Sequence, residues 1–422
     1  MSRHARPALG CCVLVLLLTL VGCHEGPSPD SSGPPPTGHT TTPDRSGGAR
    51  ATPTPTRRPT PTPTRRPAAT PTQTAAERAL RRLSLDEQVG QLLLVGIPAS
   101  GTSGDVLPTL RSRHVGGIML TGRSELGVEA TRGVVEQAEA GILDRDGPAV
   151  PLIVATDQEG GAVQVLRGPG FDDMPEAVRQ GEWAPGTLGA RARRWGGQLR
   201  AAGVNLDLAP VGDIVPRSPD PRTNGPIGHF DRQFGPDAGV VRPHATAFAC
   251  GMSAAGVATA VKHFPGLGHV RDNTDVSSRV VDDTIGPRDR GLSVFTDVAD
   301  ACRSLVMTST AVYERLDPAH PASFSAAVVT TLLRERLGFE GVVVSDDLGS
   351  ALQVQRWTPG DRARMFVAAG GDLVLTVDPG DVPQMCGALA AAARQDPAMA
   401  ARVRQSALRV LTLKARLGLL DR

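Results

Sequence analysis

The sequence predicts an α/β chain whose ordered part is a single (β/α)8 TIM-type barrel, and three observations carry that expectation. Eight short apolar runs rich in Val, Ile and Leu lie between residues 90 and 377. They mostly lack polar alternation, as strands buried on both faces must. Helix-like stretches such as Thr131–Leu143, Thr187–Ala201, Asp237–Ala254 and Ala326–Leu337 separate them, and that alternation is the mark of parallel sheets. Eight units over roughly 330 residues fit a closed barrel. The alternative, an open doubly wound sheet, would be supported by a G-x-G-x-x-G turn, and none follows any run.

Taken in order, the chain opens on Arg3 and Arg6 and an apolar run from Cys11 to Val21. A basic start and an apolar core this short read as a secretory signal over residues 1–22, too short to span a bilayer. Leu20-Val21-Gly22-Cys23 resembles the lipobox of bacterial lipoproteins, which makes Cys23 the expected lipidation site. Residues 23–74 are Pro, Thr, Ser, Gly and Arg with the near-repeat PTPTRRP. They hold too little apolar surface to offset ordering entropy and read as an extended, disordered spacer. The expected location is therefore extracytoplasmic, held to a bacterial membrane through a lipid.

From residue 75 to 422 the composition is that of one globular domain. The chain carries a formal +2; removing the two signal arginines and the spacer's excess of three leaves the domain near −3. That balance and the scarcity of aromatics exclude a nucleic-acid partner. Cys250, Cys302 and Cys386 have no metal-ligand spacing, so neither metal nor cofactor is expected; one disulfide is possible, its pairing open. A monomer is expected.

The runs are Gly90–Ile97, His114–Leu120, Pro151–Thr156, Val204–Leu208, Gly256–Val261, Ser304–Met307, Gly341–Val344 and Asp372–Val377. Barrel chemistry sits at strand C-termini. There the sequence places Asp157-Gln158-Glu159, Asp207 to Asp213, Lys262-His263, Thr308 to Thr310 and Ser345-Asp346-Asp347. One such acid alone would be read as capping a helix or pairing with a cation; several on one rim point to a site. After the fifth run, KHFPGLGHVRDNTDVSS turns sharply at Pro265, Gly266 and Gly268 and gathers titratable groups in one loop.

DQEGG, APVGD, KHFPG, HPASFS and GVVVSDDL, in this order, resemble glycoside hydrolase family 3 over residues 85 to 420. The nearest branch is the bacterial β-N-acetylglucosaminidases acting on peptidoglycan fragments. The resemblance implies a retaining β-N-acetylhexosaminidase on a barrel, with oligosaccharide or muropeptide substrate. Asp346 would be the nucleophile, and Asp157, Arg232, Lys262 and His263 would hold the sugar. Two departures stand out. Ala162 and Val165 occupy positions where the family has Arg, with Arg167 a possible substitute. Ser277 stands where relatives carry the acid/base His, and a hydroxyl cannot serve there near neutral pH. Asp275 is the first candidate acid, with His269 and Asp272 as others. A family 3 β-glucosidase or other β-glycosidase, or a wall-binding lipoprotein that has lost catalysis, are the alternatives.

Overall fold

The computed structural model describes residues 71–101, 105–143 and 150–420. The signal segment, Cys23 and nearly all of the spacer lie outside the described residues. Eight parallel strands follow one another in chain order round a single sheet: β1 Leu93–Pro98, β2 Gly117–Thr121, β3 Ile153–Thr156, β4 Leu206–Asp207, β5 Ala258–Phe264, β6 Leu305–Thr308, β7 Val343–Ser345 and β8 Val374–Thr376. β8 pairs with β1, Val374 opposite Leu93. A bridge between Val344 and Leu373 joins β7 to the residue before β8 and closes the ring. The barrel and its strand count are those the sequence implies.

Each strand is buried on both faces, which is why the runs lack a polar period. Leu94, Ile153, Leu206, Ala260 and Leu375 fill the barrel interior. Their neighbours Val95, Val154, Val261, Val306 and Val374 pack outward into a second core shared with the helices. The strand bounds differ from expectation most at β5. It continues through Lys262 and His263 to Phe264 rather than ending at Val261. Two polar residues can remain in a buried strand because carboxylates from neighbouring loops meet them there.

The helices are α1 Pro71–Arg82, α2 Leu85–Gly90, α3 Val106–Ser112, α4 Gly127–Leu143, α5 Pro185–Ala201, α6 Ala238–Ala254, α7 Leu292–Cys302, α8 Pro359–Ala369, α9 Val382–Gln395 and α10 Pro397–Arg416, with a π-type helix over Ala327–Arg336. A disulfide joins Cys250 in α6 to Cys302 at the end of α7, leaving Cys386 buried and free. Helix α10 has a special task. Its Val410 and Leu413 belong to the interior cluster, so it closes the barrel at the end where the strands begin. The other end is left for the loops.

Candidate active site

At the C-terminal ends of the strands lies a cavity of about 300 Å³, floored by Met119, Leu208, Met307 and Leu375. These are the last apolar side chains of the barrel interior. The polar wall holds Asp157, Arg232, Lys262, His263, Asp275 and Asp346. Six of the seven catalytic and substrate-binding positions expected from the sequence thus meet in one cavity.

One wall is a chain of four charges. Lys262 Nζ donates to Asp157 at 2.6 Å and lies 2.6 Å from Glu159 Oε1. Arg232 makes a two-pronged bond to Glu159, Nε and Nη2 donating at 2.8 and 2.7 Å. Two cations and two carboxylates cancel, which lets the group stay buried. Burial alone would raise the Glu159 carboxyl, but Arg232 and Lys262 outweigh it and hold it down to about 2. Burial likewise disfavours the Lys262 charge, and Asp157 and Glu159 reverse that, so the ammonium binds its proton more tightly than usual. Exposure separates the roles. The side chains of Glu159 and Lys262 are only 4% and 3% exposed, while Asp157 keeps 23% and Arg232 15%. Asp157, Arg232 and Lys262 line the cavity, and Glu159 holds Arg232 in place behind them.

His263 is fixed by a different acid. Its Nδ1 lies 2.7 Å from Asp213 Oδ2. Asp213 Oδ1 also accepts from the backbone N–H of His263 and of Leu267. An acceptor at Nδ1 places the proton there in the neutral ring and leaves Nε2 able to accept. Behind this wall, Asp207 accepts from Gln158 N–H through one oxygen, and its other oxygen is buried with no hydrogen-bond partner among the described residues. Burial, chiefly, drives its carboxyl well above the ordinary range.

The loop after β5 decides the acid. Gly268 passes so close to Ile214 that a Cβ there would lie 1.7 Å from the Ile214 carbonyl oxygen. That tight passage sends His269 to the far side of the loop. It is exposed and borders a separate cavity of about 80 Å³ with Ile214, Pro265 and Phe295. His269 therefore does not line the pocket that holds Asp346. Asp272 is exposed and does not line the pocket, nor does Ser277. Asp275 does. The Leu352 N–H donates to the Asp275 carbonyl at 3.2 Å and Gln353 N–H to that of Thr274 at 3.1 Å. The buried Gln353 side chain pairs with both backbone groups of Val280. The loop is thereby stitched to the segment that follows β7. Asp275 is open to solvent at the mouth but crowded on its inner side. Burial there, and then the charge of Asp346, raise its carboxyl above the ordinary value, against the pull of Arg232 and His263.

Asp346 and Asp347 follow β7 and differ in freedom. Asp347 is saturated: Gly349 and Val377 N–H donate to Oδ1 and Ser350 N–H to Oδ2, all within 2.9 Å. Asp346 accepts one such bond, from Asp347 N–H at 2.8 Å. Asp346 is thus the freer of the two carboxylates. Arg167 does not replace the missing arginines in the pocket; it donates to the Gly161 carbonyl at 2.8 Å and to Asp173 at 3.0 Å. Glu159, Asp213 and Gln353 are the positioning groups that sequence reasoning did not single out. The first two lie within motifs already quoted. Gln353 has no sequence signal.

The described architecture has relatives. The family profile described as glycosyl hydrolase family 3 N terminal domain matches residues 84–413. A β-hexosaminidase of Thioalkalivibrio sulfidiphilus is 40% identical over 237 residues, covering 53% of this chain and 64% of that protein's length. The β-hexosaminidase LpqI of Mycobacterium tuberculosis is 32% identical over 349 residues, 79% of this chain and 83% of that one. Among solved structures, a β-N-acetylhexosaminidase from Beutenbergia cavernae shares 51% identity over 78% of this chain and 98% of its own, with a TM-score of 0.76.

Proposed function

The chain belongs to glycosyl hydrolase family 3, and on that premise we propose that it is a retaining β-N-acetylhexosaminidase. It removes terminal N-acetylglucosaminides from cell-wall fragments or related oligosaccharides. The observation that carries this reading is the meeting of Asp346 and Asp275 across one cavity, with Asp157, Arg232, Lys262 and His263 on its wall.

The roles follow from the geometry. Asp157 accepts from sugar hydroxyls while Arg232 and Lys262 donate, which is the charge-assisted bonding that fixes a polar ring. An Asp346 oxygen attacks the anomeric carbon as the glycosidic C–O bond breaks. The Asp275 carboxyl passes its proton to the leaving oxygen. Its raised pKa suits that task, since a group ionised far below the working pH has no proton to give. Once Asp346 is esterified its negative charge is gone, and the repulsion that raised Asp275 goes with it. Asp275 is then better left ionised, and as a base it takes a proton from the water that attacks the same carbon. That step releases the sugar and restores the Asp346 carboxylate. One pair of acids thus serves both half-reactions, with His269 bordering a separate cavity. Ser277 does not line the cavity, and its hydroxyl is too weak an acid to protonate a leaving oxygen near neutral pH.

The enzyme works outside the cytoplasm as a monomer held by lipid at Cys23. The basic-apolar-Cys start and the Pro/Thr spacer support this, and the Cys250–Cys302 disulfide suits an oxidising compartment. Hydrolysis of chromogenic β-N-acetylglucosaminide and β-glucoside tests the specificity. Turnover of the first should exceed that of the second by at least about tenfold, a ratio that contacts to the 2-substituent can supply. Faster glucoside turnover would make it a β-glucosidase, and no turnover of either would make it a binding protein. Cys23→Ala should release the protein from the membrane fraction; unchanged retention would refute the anchor.

A further inference from the structure

The end of the barrel opposite the catalytic pocket is not featureless. Two clefts flank the last turns of α10. The wider, about 620 Å³, lies towards residues 340–342 and includes Arg303, Glu340, Arg409 and Arg416. The narrower, about 320 Å³, lies towards the ends of α5 and α6 and includes Arg200, Ser253, Arg303 and Arg416. Arg303 and Arg416 border both.

The charges in the narrow cleft do not balance. In the wide cleft, Arg409 is paired with Asp372 at 3.1 Å and Glu340 adds a negative charge. Among the described residues, no carboxylate lines the narrow one. Arg416 Nη2 donates to the Arg303 carbonyl at 2.7 Å, which draws the two arginines together rather than neutralising either. Burial and the neighbouring Arg303 charge both disfavour the Arg416 cation. Arginines do favour helix C-termini, and Arg200, Arg303 and Arg416 stand at or just past the ends of α5, α7 and α10. Each helix end offers only about half a negative charge. Even with the end of α6 counted, four such ends leave about one unit of the three positive charges unanswered.

We propose that this narrow cleft is a binding site for a phosphate ester, gripped by Arg200, Arg303 and Arg416 with Ser253 as an added hydroxyl donor. Three arginines carried on separate elements line one cleft, and guanidiniums suit an oxyanion with several acceptor oxygens. The cleft is larger than a phosphate alone, so the group it carries is accommodated too. The phosphate could belong to a lipid headgroup or to a soluble ester, and the chemistry recognised is the same.

Calorimetric titration of inorganic phosphate into the full chain, at constant low ionic strength, tests the site. Saturable one-site binding is expected. Arg303→Gln and Arg416→Gln should each weaken it by about tenfold or more, the loss of one charge-assisted bond. Arg200→Gln should do the same. Its side chain makes no hydrogen bond or ion pair among the described residues, so folding cannot explain the loss. Glycoside hydrolysis should be unchanged in all three. Binding to phosphatidylglycerol vesicles that free phosphate displaces would assign the ester to a headgroup; phosphate binding without vesicle binding would assign it to a soluble source. The proposal is overturned by an absence of saturable phosphate binding, or by binding that survives Arg200→Gln and Arg416→Gln. Vesicle binding indifferent to phosphate and to all three substitutions would overturn it too.

Discussion

Replacing Glu159 by Gln keeps the shape of the side chain and removes one charge from the buried group of four. Two cations would then face Asp157 alone, leaving one buried positive charge unanswered and Arg232 without its two-pronged partner. Two routes give the size of the effect. Breaking a buried ion pair by deleting one partner costs about 3–5 kcal/mol. Independently, the fall of the Glu159 carboxyl from its ordinary 4.5 to about 2 corresponds to about 3 kcal/mol of stability at neutral pH. The agreement sets the expectation. Because the folded state depresses this group, its contribution is complete above about pH 4.5 and is lost as the pH falls towards about 2. Thermal unfolding at pH 7 should therefore show a midpoint lowered by on the order of 5–10 °C in Glu159→Gln. The difference from wild type should shrink as the pH is lowered through that window. KM should rise with it, since Arg232 is no longer aimed. Glu136→Gln, which breaks an exposed pair 4.0 Å long, should shift stability by less than about 1 kcal/mol. Equal midpoints for Glu159→Gln and wild type, with unchanged KM, would refute the charge argument.

Asp275→Asn should cost about 10²–10⁴-fold on substrates with poor leaving groups and far less on activated aryl glycosides, with azide restoring rate to the latter. The same substitution should raise the unfolding midpoint at neutral pH. A carboxyl raised by the fold stabilises it only while protonated and loses that contribution as the pH rises, so removing the charge relieves its repulsion with Asp346; a lowered midpoint would contradict this. Asp213→Asn should free the His263 ring to change tautomer, cutting kcat/KM while an imidazole proton resonance assigned to Nδ1 disappears. Reduction of Cys250–Cys302, which closes a loop of 52 residues, should cost up to about 4 kcal/mol by chain entropy, read as a lower unfolding midpoint under reductant with hydrolysis intact below it.

The barrel was legible because its strands are buried on both faces, and a run such as Leu152–Ala155 can hardly be anything else in an alternating chain. The end of β5 was not. Lys262 and His263 look like loop residues until Asp157, Glu159 and Asp213, from 50 to 105 positions away in sequence, are brought against them. Asp346 could be chosen over Asp347 by resemblance, but the physical reason, three backbone N–H groups occupying Asp347, exists only in three dimensions. The acid was the hardest. From the sequence Asp275 comes first, with His269 and Asp272 as rivals in a loop of unknown path, and the path is set by Gly268 against Ile214 and by Gln353 on Val280. Helix α10 reads as one more amphipathic helix, and nothing local marks it as the floor of the barrel.

The central claim is that Asp346 forms a covalent bond to the sugar. Incubation of the full chain with an activated, fluorine-substituted N-acetylglucosaminide that slows the second half-reaction, followed by proteolysis and mass spectrometry, measures it directly. One added sugar is expected on the peptide containing Asp346, and none when Asp275→Asn is combined with Asp346→Ala. A label on Asp275 or Asp347, or product released with inverted anomeric configuration and no labelled peptide, would contradict it.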